Sequence, residues 1–210
     1  MKHLLIALSV VFSVSAMAQS KATLKLLQAV DNNDLKSAQS AIKEGADVNG
    51  SNNNSAPSTT VLLKAVKFNR VEITKLLLDN HADINQRRPI DMYSPLMVAA
   101  KLNHAKIASM LIAKGADVSL TTVIGRNALH LAALSNSVEV AKLLVQTNID
   151  VNARPEVCAL AVAARQDHRQ IVSLLKNLSG SKAPSAVCLE RAIDMADFNE
   201  HVEVLKILRG

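Results

Sequence analysis

The chain has 210 residues, of which 49% are apolar and only 2% aromatic, with no Trp, one Tyr and three Phe. That is enough apolar material for one substantial domain, built on Leu, Ala, Val and Ile, which suits closely packed helices better than an aromatic-rich β-sandwich. Collagen, a disulfide-dense miniature scaffold and a charge-rich disordered chain are excluded.

Residues 1–18 carry an address. Lys2 and His3 precede a mostly apolar run from Leu4 to Val14, and Ala16-Met17-Ala18 supplies small residues for a cut after Ala18. The run is shorter than the roughly 20 residues that cross a bilayer. The expectation is a cleaved secretory signal of bacterial type, rather than a buried helix or an uncleaved anchor, and a periplasmic or secreted product. No Cys adjoins the cut, so no lipid anchor is expected, and no later apolar stretch predicts stable membrane insertion. Loss of residues 1–18 removes one lysine and lowers the formal charge from +6 to +5. The remaining charges are interleaved, as in Lys67, Arg70, Glu72, Lys75 and Asp79. A nucleic-acid-binding face needs a concentrated basic cluster instead.

Internal similarity organises the rest. Segments beginning at Ala29, Ala65, Ala99 and Ala132 share an order of small, polar and apolar residues. Their turn positions are Asn33, Asn69, Asn103, Asn136, Asp167 and Glu200, separated by 36, 34, 33, 31 and 33 residues. Such a period predicts a stack of small units. Six units, approximately 22–54, 56–90, 91–123, 124–154, 155–187 and 188–210, are expected to form a single domain spanning 19–210.

Each unit reads as two short helices. In the third, Ser94 is a cap and Pro95 takes the first helical position. Asn103 reverses the chain, a second helix begins near Ala105 with Ile107, Leu111 and Ile112 as its apolar stripe, and Gly115 ends it. Ala65, Ala99, Ala132, Ala163 and Ala196 share one first-helix register, where methyl groups permit close approach between helices. Leu76, Leu111, Leu143 and Leu174 are expected to fill the layer behind.

These residues resemble the ankyrin-repeat family. Arg126-Asn127-Ala128-Leu129-His130-Leu131-Ala132-Ala133 matches its first-helix phrase, with Asn127-Ala128 in place of Thr-Pro. Val138-Glu139-Val140 and Lys142-Leu143-Leu144 match the second helix, and Gly45-Ala46-Asp47-Val48 and Gly115-Ala116-Asp117-Val118 the terminal turn. The resemblance spans roughly residues 22–210, with the first, fifth and sixth units weakest. It implies an all-α solenoid of stacked helix–turn–helix units with projecting loops, used to recognise another macromolecule.

The family places partner contacts on those loops and on the exposed side of the first helices. The resemblance therefore implies contacts at Lys67 and Phe68, Lys101 and Leu102, Leu134 and Ser135, Arg165 and Gln166, and Phe198. The polar loop from Gly50 to Ser55 and the segment from Gln86 to Tyr93 add projecting material. Phe68 and Tyr93 contact a partner, or else Phe68 fills a gap between repeats and Tyr93 packs its own hairpin. Arg87 and Arg88, extended by Arg126, meet an acidic partner or simply keep a loop soluble.

No G-x-S-x-G, H-E-x-x-H or phosphate-cradling glycine motif is present, so no catalysis is expected. His104, His168 and His201 follow the inter-helix turn, and His130 lies in the first-helix phrase, where it can bridge neighbouring repeats; these are structural registers rather than a metal set. No metal or cofactor is expected. Cys158 and Cys188 lie 30 residues apart, close to one repeat, and an oxidising compartment permits a disulfide between the fifth and sixth units; two reduced thiols are the alternative. The function expected is that of a non-enzymatic exported protein-binding module, monomeric before it meets an unidentified protein partner. It would serve as an inhibitor or immunity protein or as a protective factor in oxidative stress. A periplasmic sensor of a small ligand or metal is the alternative.

Overall fold

Six residues bend the chain back on itself. Asn33, Asn69, Asn103, Asn136, Asp167 and Glu200 all adopt the left-handed backbone region, with φ between 54° and 58°. Asn and Asp tolerate it because their short side chains bond locally; Glu200 has no such reason in its chemistry. The residue after each turn then donates its amide to a first-helix carbonyl. Asp34, Arg70, His104, Ser137, His168 and His201 bond to Ala29, Ala65, Ala99, Ala132, Ala163 and Ala196 at 2.8–3.0 Å. One alanine register thus both spaces the helices and anchors the turn.

The structure is a computed structural model that describes residues 21–51 and 59–210. The expected signal at 1–18 and Asn52 to Ser55 of the polar loop lie outside the described residues. Helix pairs account for nearly all the regular structure, and no strand occurs among the described residues beyond one isolated bridge, Ser51 with Thr60. This is the all-α repeat architecture expected from the sequence. Contacts group into two compact units, Met1–Ile84 and Asn85–Gly210.

The first unit holds α1 (residues 21–32), α2 (Leu35–Lys43), α3 (Val61–Lys67) and α4 (Val71–Asp79). Thr60 caps α3 by accepting from the Leu63 amide. Arg70 reaches back to the preceding repeat, donating to Val30 O at 3.1 Å and Asp31 O at 2.9 Å. Asn49 accepts the Asp83 amide at 2.7 Å and Thr23 the Asp47 amide at 2.9 Å, so one side-chain oxygen per repeat holds the next turn in register.

The second unit holds α5 (Pro95–Leu102), α6 (Ala105–Ala113), α7 (Ala128–Leu134), α8 (Val138–Val145), α9 (Ala159–Arg165), α10 (Arg169–Lys176), α11 (Ala186–Phe198) and α12 (Val202–Arg209). First helices pack in the row α5, α7, α9, α11, and second helices in the row α6, α8, α10, α12. Ser94 caps α5 with Pro95 in its first turn, Asn103 ends the helix, and Gly115 follows α6 at φ 84°. His168 and His201 donate through Nδ1 to Ala133 O and Ala164 O at 2.7 and 2.8 Å, the role Arg70 plays in the first unit. Asn85 accepts the Asp117 amide at 2.9 Å and Asn152 the Ser185 amide at 2.8 Å. At the same register Ser119 is too short to reach forward and bonds Asp117 of its own turn.

The five seam alanines, Ala65, Ala99, Ala132, Ala163 and Ala196, are 0% exposed. The leucine layer needs a correction. Leu111 is buried as expected, but Leu76, Leu143 and Leu174 are only half-buried. Their successors Leu77, Leu144 and Leu175 fill the core, because a one-residue step rotates a side chain by about 100° around the helix. Ile112 is half-buried too, at the edge of its stripe.

The last helix pair departs from the repeat. α11 has 13 residues, whereas the other first helices of this unit have seven or eight. Its added N-terminal turns carry Cys188, which forms a disulfide with Cys158, Cα to Cα 5.9 Å. Cys158 occupies the cap register of Ser94 and Asn127 but makes no cap hydrogen bond. A covalent tie to the next repeat stands where the others have a capping oxygen.

Ala99→Leu should overpack the seam and lower stability by about 1–3 kcal/mol in urea melts; an unchanged melt would mean that the seam tolerates bulk. Cys158→Ser combined with Cys188→Ser should cost roughly 2–4 kcal/mol, as expected for opening a loop of this length. Early proteolytic cleavage around Ala186 to Arg191 would locate the loss in the added turns.

Candidate protein-interaction surface

Two residues beyond each seam alanine the first helix ends, except in α5, which runs one residue further to Leu102. A buried methyl therefore fixes where the last side chain emerges. In the second unit this register reads Lys101, Leu134, Arg165 and Phe198, one from each repeat in packing order. Lys101, Arg165 and Phe198 are exposed, Phe198 at 84%, and Leu134 is half-buried. Cation and apolar group alternate along the row. Leu102 beside it is 42% exposed. The first unit places Lys67 in the same register, followed by Phe68 as the α3 cap residue. Phe68 is 42% exposed, with Lys67 Nζ 5.5 Å and Arg70 Cζ 5.9 Å from its ring centroid.

Tyr93 is half-buried at the end of a hairpin, with Arg88 Cζ 5.2 Å and Lys101 Nζ 5.4 Å from its ring. It joins the hairpin to the first-helix row through Lys101. Arg88 grips Asp91 with two hydrogen bonds, Nε to Oδ1 at 2.8 Å and Nη2 to Oδ2. These bonds hold the Asp91 carboxyl below its usual range and raise Arg88. The Arg88 charge is matched inside its own loop, whereas Arg87 donates to a carbonyl, Thr121 O, at 3.5 Å. Arg126 is half-buried, with Nε enclosed and without a hydrogen-bond partner.

Three aliphatic residues are exposed, Ile90 at 66%, Val123 at 63% and Ile124 at 53%; sequence reasoning took in Ile90 only as part of the projecting segment and passed over Val123 and Ile124. The available signal was their place among turn residues, where Gly, Asn or Asp is usual.

Comparison with known proteins decides the family. The family model described as "Ankyrin repeats (3 copies)" matches residues 26–122, 83–155 and 119–186, most of the chain. The chain belongs to the ankyrin-repeat family. It is 30% identical over 157 residues to a fowlpox virus protein named for its ankyrin repeats, an alignment covering 71% of this chain and 46% of that protein. It is 30% identical over 128 residues to an ankyrin repeat and KH domain-containing protein of Caenorhabditis elegans, covering 61% of this chain and 5% of that one. A stretch of 100 residues is 32% identical to a glycerophosphocholine phosphodiesterase of Schizosaccharomyces pombe, covering 48% of this chain and 9% of that enzyme. This ankyrin chain thus spans less than half the length of these relatives, which are viral or eukaryotic.

Helix α7 carries the histidine of the first-helix phrase in an altered setting. His130 is 1% exposed, and its Nδ1 donates to Asn127 Oδ1 at 2.7 Å. Asn127 also caps α7 and donates to Asp150 O at 2.9 Å. The expected bridge from His130 to a neighbouring repeat gives way to one inside the repeat, because Asn127 stands where the side chain first reaches. Nε2 is buried without a hydrogen-bond partner. Burial, reinforced by the charges of Arg126 and Arg154, pushes His130 from 6.5 down to about 4. The neutral imidazole is therefore the form that fits. Among the described residues no three His, Cys, Asp or Glu side chains converge to hold a metal ion.

A folded-state value below the unfolded one makes the His130 contribution full above about pH 6.5 and lost as pH falls towards 4. Between pH 7 and 5 the loss should approach about 2 kcal/mol. Urea melts of His130→Gln at the two pH values should lack that part of the decline; an equal decline would free His130 of the effect.

Proposed function

We propose that this chain is an exported, non-enzymatic module that binds another protein through the ends of its first helices and the adjoining hairpin. The observation that carries the reading is the row Lys101, Leu134, Arg165 and Phe198. Fully buried alanines two residues earlier hold it rigid, so binding need not order these helices. Tyr93, flanked by two cations, supplies the kind of aromatic anchor that dominates interfaces. Arg87 and Arg126 extend a cationic border. The matching partner surface is acidic, with an apolar patch facing Phe198 and Leu134.

Export is supported by the pattern of residues 1–18 and by the Cys158–Cys188 bridge, since disulfides persist where glutathione does not reduce them. On this reading the product is periplasmic or secreted, of bacterial type, and monomeric until it meets its partner. A rigid recognition face suits an inhibitor or immunity protein that covers another protein's working surface. The same face on a disulfide-tied scaffold suits a protective factor under oxidative stress.

Chemical cross-linking in the periplasm should recover one reproducible companion. Tyr93→Ala and Arg165→Glu should each weaken its binding by at least about 1 kcal/mol, with unchanged melting curves. Full affinity in both variants would move the interface elsewhere, and recovery from cytoplasm alone would end the export reading.

A further inference from the structure

Two hairpin tips of the second unit meet in an unusual way. In one, the Thr122 amide donates to Arg126 O at 2.9 Å and the Gly125 amide to Thr122 O at 2.8 Å, which puts Val123 and Ile124 at the apex of a tight turn. In the other, the Met92 amide donates to Arg88 O at 2.8 Å and Arg88 to Tyr93 O at 2.9 Å, with Ile90 at the apex. The Val123 amide donates to Asp91 O at 3.3 Å, so the tips lie side by side. All three aliphatic side chains are more than half exposed.

Turn apices favour Gly, Asn, Asp or Ser, and β-branched residues there gain nothing from local conformation. Three aliphatic residues at adjoining apices break that preference together, and exposed apolar patches of this kind mark a contact. The surroundings are cationic. Arg87 and Arg154 spend hydrogen bonds on loop carbonyls, Thr121 O and Ile124 O, which pins the tips while leaving two positive charges unmatched by those bonds. Arg126 adds a third, and Asp91 is already engaged by Arg88. Asp117, bonded to Ser119, is the acidic group that Arg87 influences nearby.

We propose that Ile90, Val123 and Ile124, with this arginine rim, form a reversible docking face for an anionic phospholipid surface. Apices project side chains outward, and a lipid interface accepts them without a complementary pocket, whereas protein hot spots favour aromatic anchors set in desolvated pockets. Long arginines at the rim reach headgroup phosphates while the aliphatic tips enter the acyl boundary. No helix among the described residues is long and apolar enough to cross a membrane, so the contact stays at the surface. The proposal stands independently of which protein the first-helix row recognises.

The test uses the chain as it accumulates in cells, floated with phosphatidylcholine vesicles containing about one third phosphatidylglycerol. Binding should fall at least about tenfold in Val123→Ser with Ile124→Ser, and again in Ile90→Ser. It should weaken with salt and in Arg154→Gln, and be unchanged in Val202→Ser, which removes an exposed aliphatic side chain of α12. Melting curves should match the parent in each variant. No binding by the parent, equal binding to pure phosphatidylcholine, or indifference to the tip serines would overturn the proposal. So would a protein companion that is lost on tip substitution while vesicles never bind.

Discussion

Everything in the molecule depends on how closely neighbouring first helices approach. Helices of seven to nine residues have too few backbone bonds to stand alone, and the stack supplies the missing burial. A methyl group at Ala99, Ala132, Ala163 and Ala196 sets that approach, and the carbonyl of the same residue receives the amide that closes the turn. Spacing, reversal and side-chain exit are therefore fixed at one position per repeat. A larger residue there would disturb all three at once.

Much of this was legible because it depends on residue types with narrow uses. Asn and Asp at a regular interval identify left-handed turns, Ser94-Pro95 a helix start, Gly115 a stop. Positions on a continuous apolar surface were harder. Leu76-Leu77-Leu78 offers three similar residues in a row, and nothing in their chemistry says which one faces inward; packing decides that Leu77 and Leu78 do. The longer α11 was hidden for a related reason. Residues 186–191 lack the repeat's phrase, and their helix is held by Cys188 and by Arg191 bonding to Glu156 O.

The candidate surface divides along the same line. Repeat register places Lys101, Leu134, Arg165 and Phe198, since that row follows from the seam. Loop chemistry could not be read so directly. Arg88 and Asp91 are three residues apart, and only their geometry shows the charge to be matched within the hairpin. Ile90, Val123 and Ile124 look like core material by composition and become informative only when found at turn apices. The buried His130 is intermediate. Its place in the phrase signals structure, while its partner depends on Asn127 replacing the family's usual threonine.

Among the described residues, the ties between repeats named above are short-range. Arg70 reaches Val30, His168 reaches Ala133, His201 reaches Ala164 and Asn152 meets Ser185, each spanning little more than one repeat. None of these four contacts needs the far end of the chain. A polypeptide emerging from a ribosome or a translocation channel can therefore settle each new helix pair onto the one already in place, before the remainder has been delivered. The Cys158–Cys188 bond can form once the first turns of α11 have been delivered, and it fastens that helix to the pair before it.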